Sequence, residues 1–235
     1  MLKIFLIFGI IYLLYLKFSL KLSIDFKSLY RKGFKKIDNQ FGLFAYCGKQ
    51  GKGKTYSAVK FCIDRKLATN CIIYTNVTSF NIFSDTVFIT NIDQLIDNVI
   101  SYCDSLSSNE QPNIIIFFDE IFTVLEKNVK ISKKILSFIS QLRKRKIILI
   151  TTAQEWLEIN VTFRRYVRFQ IDCNMISLPI SNTAFIINTV NDGEQLKWSN
   201  EDNEYIAPRI STKISKGNLS VIESYDTFET IQTKN

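Results

Sequence analysis

The sequence predicts an α/β fold: a mainly parallel sheet of five or more strands sandwiched by helices, preceded by one transmembrane helix at the amino terminus. Short, largely apolar segments are typical of strands buried on both faces of a parallel sheet. Segments with apolar residues at helical spacing separate them, which is the pattern of an α/β domain. The predicted strands are residues 41–47, 71–75, 87–90, 114–118, 147–152 and a hairpin of 166–171 with 185–190.

The composition excludes several classes of protein. A chain of 235 residues that is 46% hydrophobic and 22% charged is neither disordered nor a polytopic membrane protein. It contains no histidine, so imidazole catalysis and histidine-ligated zinc are excluded. The cysteines show no metal-ligand spacing, which predicts small buried thiols in a reducing compartment at Cys47, Cys62, Cys71, Cys103 and Cys173.

The amino terminus predicts a membrane anchor. Residues 4–16 are all apolar or aromatic, and residues 1–20 reach a minimal span if Lys3 and Lys17 extend outward to the headgroups. Seven basic residues follow within positions 17–36, against one acid, so the positive-inside rule keeps the rest of the chain cytoplasmic. A single-pass protein of the host inner (cytoplasmic) membrane is favoured over a cleaved signal peptide, because no small-x-small cleavage site follows. An in-plane amphipathic helix would need a polar face, which residues 4–16 lack.

A glycine-rich segment follows the first central strand and opens a helix. Residues 48–55 match GxxxxGK[ST] at every fixed position. Glycines let the backbone point its N–H groups at phosphate oxygens, and the helix start adds the positive end of its dipole. The pattern predicts ATP binding, with Lys54 on the β- and γ-phosphates and Thr55 on Mg²⁺. The predicted site comprises Gly48, Lys49, Gln50, Gly51, Lys52, Gly53, Lys54 and Thr55.

Two further strands end in polar residues that suit the same site. Asp119 and Glu120 close the strand at 114–118, where Asp119 is predicted to bind Mg²⁺ and Glu120 to orient or deprotonate the attacking water. The alternative for Glu120 is an acid at a helix amino terminus. Gln154 follows the strand at 147–152, where an amide can sense the γ-phosphate or position water.

Two basic segments remain open to two interpretations each. Arg164 and Arg165 are candidate arginine fingers for a neighbouring subunit, or a solvated basic turn. Residues 127–146 carry an apolar helical stripe and no acid, so they are a candidate DNA contact or an ordinary solvated helix face. The basic residues of that segment are Lys127, Lys130, Lys133, Lys134, Arg143, Lys144, Arg145 and Lys146.

Residues 41–172 resemble the additional-strand P-loop ATPases of the FtsK/HerA division, and more narrowly the zonula occludens toxin-like (Zot-like) assembly ATPases of filamentous phages. The features that carry the resemblance are GKQGKGKT at 48–55, IIIFFDE at 114–120, LRKRKIILITTAQ at 142–154 and FRR at 163–165. The resemblance implies a P-loop NTPase that hydrolyses ATP with Mg²⁺ and forms a homo-oligomeric ring, such as a hexamer. It also implies movement of DNA or virion extrusion at the membrane, with phage coat or assembly proteins as partners.

Other functions stay open at this point. Lys49 stands where MinD/ParA-type ATPases have a signature lysine, which would make the chain a nucleotide switch at the membrane. Glu120 directly after Asp119 argues against that class. A conjugative DNA-transfer ATPase and a membrane scaffold with a vestigial P-loop are further alternatives. The predicted organisation is a membrane anchor at 1–22, a basic juxtamembrane linker at 23–40, the P-loop ATPase domain at 41–190 and a polar, acidic, flexible tail at 191–235.

Overall fold

The computed structural model describes residues 7–12, 14–15, 22–24, 40–80, 82–107, 110–121, 130–178, 183–199, 204–217, 219–223 and 225. The strands are β1 (Leu22–Ile24), β2 (Gly42–Cys47), β3 (Ile72–Thr75), β4 (Val87–Phe88), β5 (Ile114–Phe118), β6 (Ile147–Ala153), β7 (Val167–Leu178), β8 (Thr183–Asp192), β9 (Lys197–Ser199), β10 (Glu204–Ile206) and β11 (Arg209–Lys216). The helices are α1 (Lys54–Thr69), α2 (Ile92–Ser105), α3 (Lys133–Gln141), α4 (Val161–Arg164) and α5 (Leu219–Ile222), with a 3₁₀ turn at Trp156–Glu158.

The main sheet has nine strands in the order β1-β11-β8-β7-β2-β6-β5-β3-β4. Neighbouring strands pair in parallel except where β8 meets β7 and β11, so the sheet is mostly parallel. Strand β6 is inserted between β2, which leads into the glycine-rich segment, and β5, which ends at Asp119. The predicted α/β fold, including the additional strand, is therefore confirmed.

The parallel strands give the sheet two functionally different edges. At the carboxyl edge, β2, β5 and β6 end and lead into residues 48–55, 119–120 and 154. At the amino edge the same strands begin. The predicted hairpin is confirmed as β7 and β8, with Ile171 paired to Val190. Strand β2 ends at Cys47, which pairs with Asp172, but β7 continues from Cys173 to Leu178. The hairpin therefore projects past the carboxyl edge.

Helices cover both faces of the sheet, as predicted. On one face α2 and α3 bury Leu95, Ile96, Val99, Ile135, Phe138 and Ile139. On the other face α1 buries Val59, Cys62 and Ile63 against β2, β5 and β6. The amino-terminal cap of α2 is Asn91, whose side chain accepts hydrogen bonds from the N–H groups of Asp93 and Gln94. All five cysteines are free thiols; four are buried, as predicted, whereas Cys103 is only half-buried.

The prediction of a flexible tail from residue 191 was wrong for much of that segment. Strand β11 joins the main sheet beside β8, and Val221 and Tyr225 are buried in the core on the α1 face. The polar composition hid β11 because the residues it buries include Thr212 and Ser215, and strand pairing satisfies the backbone whatever the side chains are.

The predicted organisation of the amino terminus differs in one described segment. Residues 22–24 form an edge strand, β1, parallel to β11, rather than the end of an anchor and the start of a linker. Most of residues 1–40 lie outside the described residues. Within the part of the chain that the structure describes, no helix is both long and apolar enough to cross a membrane. The described residues 7–12 and 14–15 are helical.

Candidate nucleotide-binding site

The glycine-rich segment turns sharply between β2 and α1. Gly48, Gly51 and Gly53 have φ angles of 153°, 73° and 81°, a region that favours glycine. A Cβ atom on Gly48 would lie 2.7 Å from the backbone oxygen of Cys173, so this position also requires a close approach of two strands. The segment therefore has the backbone that a phosphate cradle needs.

The two functional side chains at the start of α1 point into this region. The Lys54 ammonium donates to the backbone oxygen of Lys49 at 3.3 Å, which holds it across the loop. The Thr55 hydroxyl donates to the Asp119 carboxylate at 3.3 Å. The side chains of Lys49, Gln50 and Lys52 are exposed at the tip of the loop. Helix α1 has no side-chain cap at its amino terminus, which leaves its first N–H groups to a ligand.

Asp119 is buried at the end of β5, and two hydroxyl groups bind its carboxylate. Thr152 donates to one oxygen and Thr55 to the other. Burial raises the pKa of Asp119 to about 6; these hydrogen bonds lower it, whereas the nearby Glu120 charge raises it. A buried carboxylate beside a threonine hydroxyl is the oxygen donor set that Mg²⁺ prefers, so these residues fit the metal that the motifs imply.

Asn76 and Thr152 contribute to the site although sequence reasoning did not select them. The Asn76 amide accepts from the Asp119 N–H at 2.8 Å and donates to the Asp119 carbonyl at 3.0 Å. The Thr152 hydroxyl also accepts from the Glu120 N–H at 3.1 Å. These contacts fix the backbone of both acidic residues from the two strands that flank β5. The only signal in the sequence was that each residue is polar and lies at the end of an apolar strand.

Glu120 and Gln154 lie at the carboxyl edge, as predicted. Glu120 is exposed beside Asp119 and has a φ of 49°, an uncommon value for a residue with a side chain that is found at functional sites. Gln154 is exposed, and its carbonyl accepts from the Gly48 N–H at 3.2 Å, which joins the end of β6 to the start of the phosphate loop. The predicted roles of both side chains remain predictions.

Arg164 and Arg165 are not brought to this site within one chain. Val167, two residues later, pairs with Leu43 at the beginning of β2. Five residues of strand separate that level from Gly48, a distance of about 17 Å. The Arg164 guanidinium lies over the Trp156 ring, 5.9 Å from its centroid, while Arg165 is exposed. A contribution to catalysis would have to come from a neighbouring subunit.

The basic segment at 127–146 is not one continuous basic face. Its apolar stripe is buried, as predicted, but helix begins only at Lys133, and residues 127–129 lie outside the described residues. Three basic groups are paired with acids: Lys134 with Asp97 at 2.7 Å, Arg145 with Asp104 at 3.5 Å, and Arg143 with Glu194. Because α3 returns from the carboxyl edge to the amino edge, the segment divides between the two.

The β7–β8 hairpin forms a side wall of the site that the sequence did not predict. Ser57 in the first turns of α1 donates to Asn188 at 3.1 Å. Met175 and Ile186 lie beside Gly53, where a Cβ atom would meet their side chains at 3.9 and 3.4 Å. The hairpin therefore supports the phosphate loop at Gly48 and Gly53 and the first turns of α1 at Ser57.

The sequence pattern of the ATPase family associated with various cellular activities (AAA) matches residues 44–175, more than half of the chain. The chain belongs to the AAA family. The AAA match begins in β2 and ends in the projecting part of β7, so it includes the phosphate loop, Asp119 and β6. The protein is an ATP hydrolase, as predicted, and its Thr55 and Asp119 side chains fit the Mg²⁺ that ATP hydrolysis at a phosphate loop requires.

Solved structures share the fold of this AAA ATPase. The amino-terminal domain of zonular occludens toxin from Neisseria meningitidis superposes with a TM-score of 0.50 at 14% identity, covering 79% of this chain and 98% of that domain. The genome packaging NTPase B204 from Sulfolobus turreted icosahedral virus 2, in complex with ATPγS, gives a TM-score of 0.50 at 11% identity, covering 76% of this chain and 98% of B204. No curated protein matches the chain in sequence. The predicted resemblance to the Zot-like ATPases is confirmed as a likeness of fold.

Proposed function

We propose that this AAA ATPase is a membrane-anchored motor that drives phage virion assembly and extrusion or translocates DNA. The observation that carries the proposal is the similarity of fold: the superpositions cover 98% of a zonular occludens toxin domain and 98% of a viral genome packaging NTPase. The nucleotide site at the carboxyl edge supplies the hydrolysis step that such a motor needs.

In the proposed cycle each group of the chain has one task. The N–H groups of residues 48–55 and the Lys54 ammonium bind the phosphates of ATP. Thr55 and Asp119 would hold Mg²⁺, which would supply neutralisation of charge on the transferred phosphoryl group. Glu120 orients the attacking water or takes its proton, and Gln154 reports the presence of the γ-phosphate at the end of β6.

The membrane anchor remains part of the proposal. The large side chains of the described helical residues are exposed, for example Phe8 at 67% and Tyr15 at 64%. The transfer of apolar side chains of this kind from water to a lipid environment lowers their free energy. We place the ATPase domain on the cytoplasmic side of the host inner membrane.

Assembly into a ring is the second part of the proposal. Arg164 or Arg165 would contact the nucleotide of a neighbouring subunit, because neither reaches the site of its own chain. Mixing tests this: subunits with Arg164→Ala and Arg165→Ala should regain activity when combined with Lys54→Ala subunits, which supply the arginines. If no mixing ratio restores hydrolysis, the trans role is wrong.

DNA contact is proposed for the part of the basic segment nearest the nucleotide site. Lys130 and Lys133 are exposed and lie before and at the start of α3, towards the carboxyl edge. Contacts to phosphates are weakened by salt, roughly one counterion being released per contact on duplex DNA. Replacing both residues with Glu should therefore reduce DNA affinity and its salt dependence together.

The decisive experiment measures ATP hydrolysis by the full chain with and without single- and double-stranded DNA. A motor predicts stimulation by DNA, loss of ATP binding in Lys54→Ala, and ATP binding without turnover in Glu120→Gln. Hydrolysis by Glu120→Gln at the wild-type rate would show that the catalytic assignment is wrong. If DNA neither binds at low salt nor stimulates hydrolysis, virion assembly through protein contacts or a MinD/ParA-like switch would replace DNA translocation.

A further inference from the structure

A short segment that follows β11 packs against the helix at the phosphate loop. Helix α5 (Leu219–Ile222) contacts α1, and Val221 is buried in the core on the α1 face of the sheet. Tyr225, three residues beyond α5, is only 8% exposed and belongs to the same core. So does Tyr56, which directly follows Thr55 in α1. The segment 219–225 is therefore folded onto the helix that carries two of the predicted ligand-binding side chains.

The Tyr225 hydroxyl lies near the carboxylate of Asp119. Burial raises the pKa of Tyr225 to about 12, and the charge of Asp119 is the next largest cause, followed by Tyr56. A charge has such an effect on a phenol only over a short distance. Three distant parts of the chain thus meet at one place: the end of β5, the first turn of α1 and the segment after β11.

This hydroxyl has no protein partner within the part of the chain that the structure describes. The two oxygens of Asp119 accept from Thr55 and Thr152 instead. A phenol hydroxyl can donate one hydrogen bond and also accept, and on a largely buried side chain it has little access to water. A ligand held by Thr55 and Asp119 would bring oxygen atoms to this position, and these could bond the hydroxyl.

We propose that the Tyr225 hydroxyl contacts an oxygen atom of bound Mg²⁺–ATP beside Asp119, which makes the segment 219–225 part of the nucleotide site. The inference rests on the metal role proposed for Thr55 and Asp119, and it is independent of the membrane anchor and of the motor function. Because the hydroxyl gains a partner only from the ligand, binding should hold the segment 219–225 more firmly against α1.

The test compares the wild-type full chain in mild detergent with Tyr225→Phe, which keeps the buried ring and removes only the hydroxyl. Binding of a non-hydrolysable ATP analogue (AMPPNP) is measured by calorimetry in Mg²⁺ and in EDTA. The loss of one hydrogen bond should weaken binding about three- to ten-fold in Mg²⁺. In EDTA the loss should be less than about two-fold, since the contact lies on the metal side of the ligand.

Hydrogen exchange gives a second readout. Mg²⁺–AMPPNP should slow exchange of the backbone amides in the segment 219–225 of the wild type, and this protection should be absent in Tyr225→Phe. The matched control is Tyr74→Phe. Tyr74 is 6% exposed and likewise forms no hydrogen bond with a described residue, but it belongs to the core on the α2 and α3 face. Its replacement should leave both binding and protection unchanged.

Each contrary result has a definite meaning. Wild-type affinity of Tyr225→Phe for Mg²⁺–AMPPNP overturns the proposal, as does an equal loss in Mg²⁺ and EDTA or an equal effect of Tyr74→Phe. Lower stability of ligand-free Tyr225→Phe in urea would show that the hydroxyl has a structural partner, which also contradicts the proposal. Asp119→Asn separates the two levels. If it removes the Mg²⁺ dependence of binding while Tyr225→Phe binds normally, only the Tyr225 contact is wrong. If it keeps that dependence, the metal role of Asp119 is wrong, and the Tyr225 contact with it.

Discussion

Replacing Asp119 by Asn should stabilise the nucleotide-free protein while abolishing its use of Mg²⁺. Asp119 is 7% exposed, and burial raises its pKa to about 6. Asn has nearly the shape of the protonated acid, and its oxygen can still accept from Thr152. Its NH₂ group can donate to Thr55 if that hydroxyl turns. The substitution therefore removes a buried charge without leaving a cavity.

The sign and size of the effect follow from the pKa. In the unfolded chain an Asp has its ordinary pKa of about 3.8, so the folded state binds this proton more tightly than the unfolded state does. Ionisation therefore lowers the free energy of unfolding progressively between about pH 4 and pH 6, and the loss is complete above that range. Two pKa units correspond to about 3 kcal/mol, and relaxation around the charge reduces the expected gain to about 1–3 kcal/mol.

Urea unfolding of the full chain in mild detergent and EDTA, followed by tryptophan fluorescence, measures this difference. Asp119→Asn should be the more stable protein at pH 7.5 and match the wild type near pH 4. The control Asp97→Asn removes an exposed partner of Lys134 and should change stability by less than about 1 kcal/mol. If Asp119→Asn is less stable than the wild type at pH 7.5, then the contacts of the metal-free site stabilise the ionised carboxylate by more than burial destabilises it, and the reasoning is refuted.

Three other predictions concern the same region. The apparent affinity for Mg²⁺ should fall about ten-fold per pH unit below pH 6, because a proton competes with the metal for Asp119. The affinity is measured from the rate of ATP hydrolysis against metal concentration, and an affinity that stays constant down to pH 5 would contradict this. Asn76→Ala should lower the free energy of unfolding by about 2–4 kcal/mol, since two buried backbone groups of Asp119 lose their partner. Unchanged stability in urea would show that these two hydrogen bonds do not stabilise the protein. Gly48→Ala should destabilise the protein by more than Gly51→Ala in thermal unfolding. The added Cβ at position 48 would meet the Cys173 backbone oxygen, whereas the one at position 51 would lie in open space. Equal effects would mean that only the backbone angle matters.

Local signals in the sequence were sufficient for the central elements. The apolar runs of β2, β5 and β6 and the motif at 48–55 each depend on residues close together in the chain. Strand β11 and the partner of β1 could not be predicted, because sheet pairing across long sequence separations leaves no periodic signal in polar segments.

The site shows the same limit in more detail. Asp119 was predictable because an acid ends an apolar run, but Asn76 and Thr152 act through contacts over separations of 43 and 33 residues. Such contacts depend on which strands are neighbours, and the sequence does not contain that order. The position of Arg164 relative to the site of its own chain was equally hidden, since ten residues beyond Gln154 are enough for the chain to cross from one edge of the sheet to the other.

These residues together indicate how hydrolysis can be coupled to metal binding. Asn76 and Thr152 hold the backbone at Asp119 and Glu120 from both neighbouring strands, and the hydroxyl groups of Thr55 and Thr152 hold the Asp119 carboxylate in its buried position. The free energy that the ionised Asp119 costs the empty protein is regained when a cation arrives, which makes the site more selective for the metal-bound nucleotide. Because the same Thr152 hydroxyl binds the Glu120 N–H, any shift of β6 on nucleotide binding would move the metal ligand and the proposed base together.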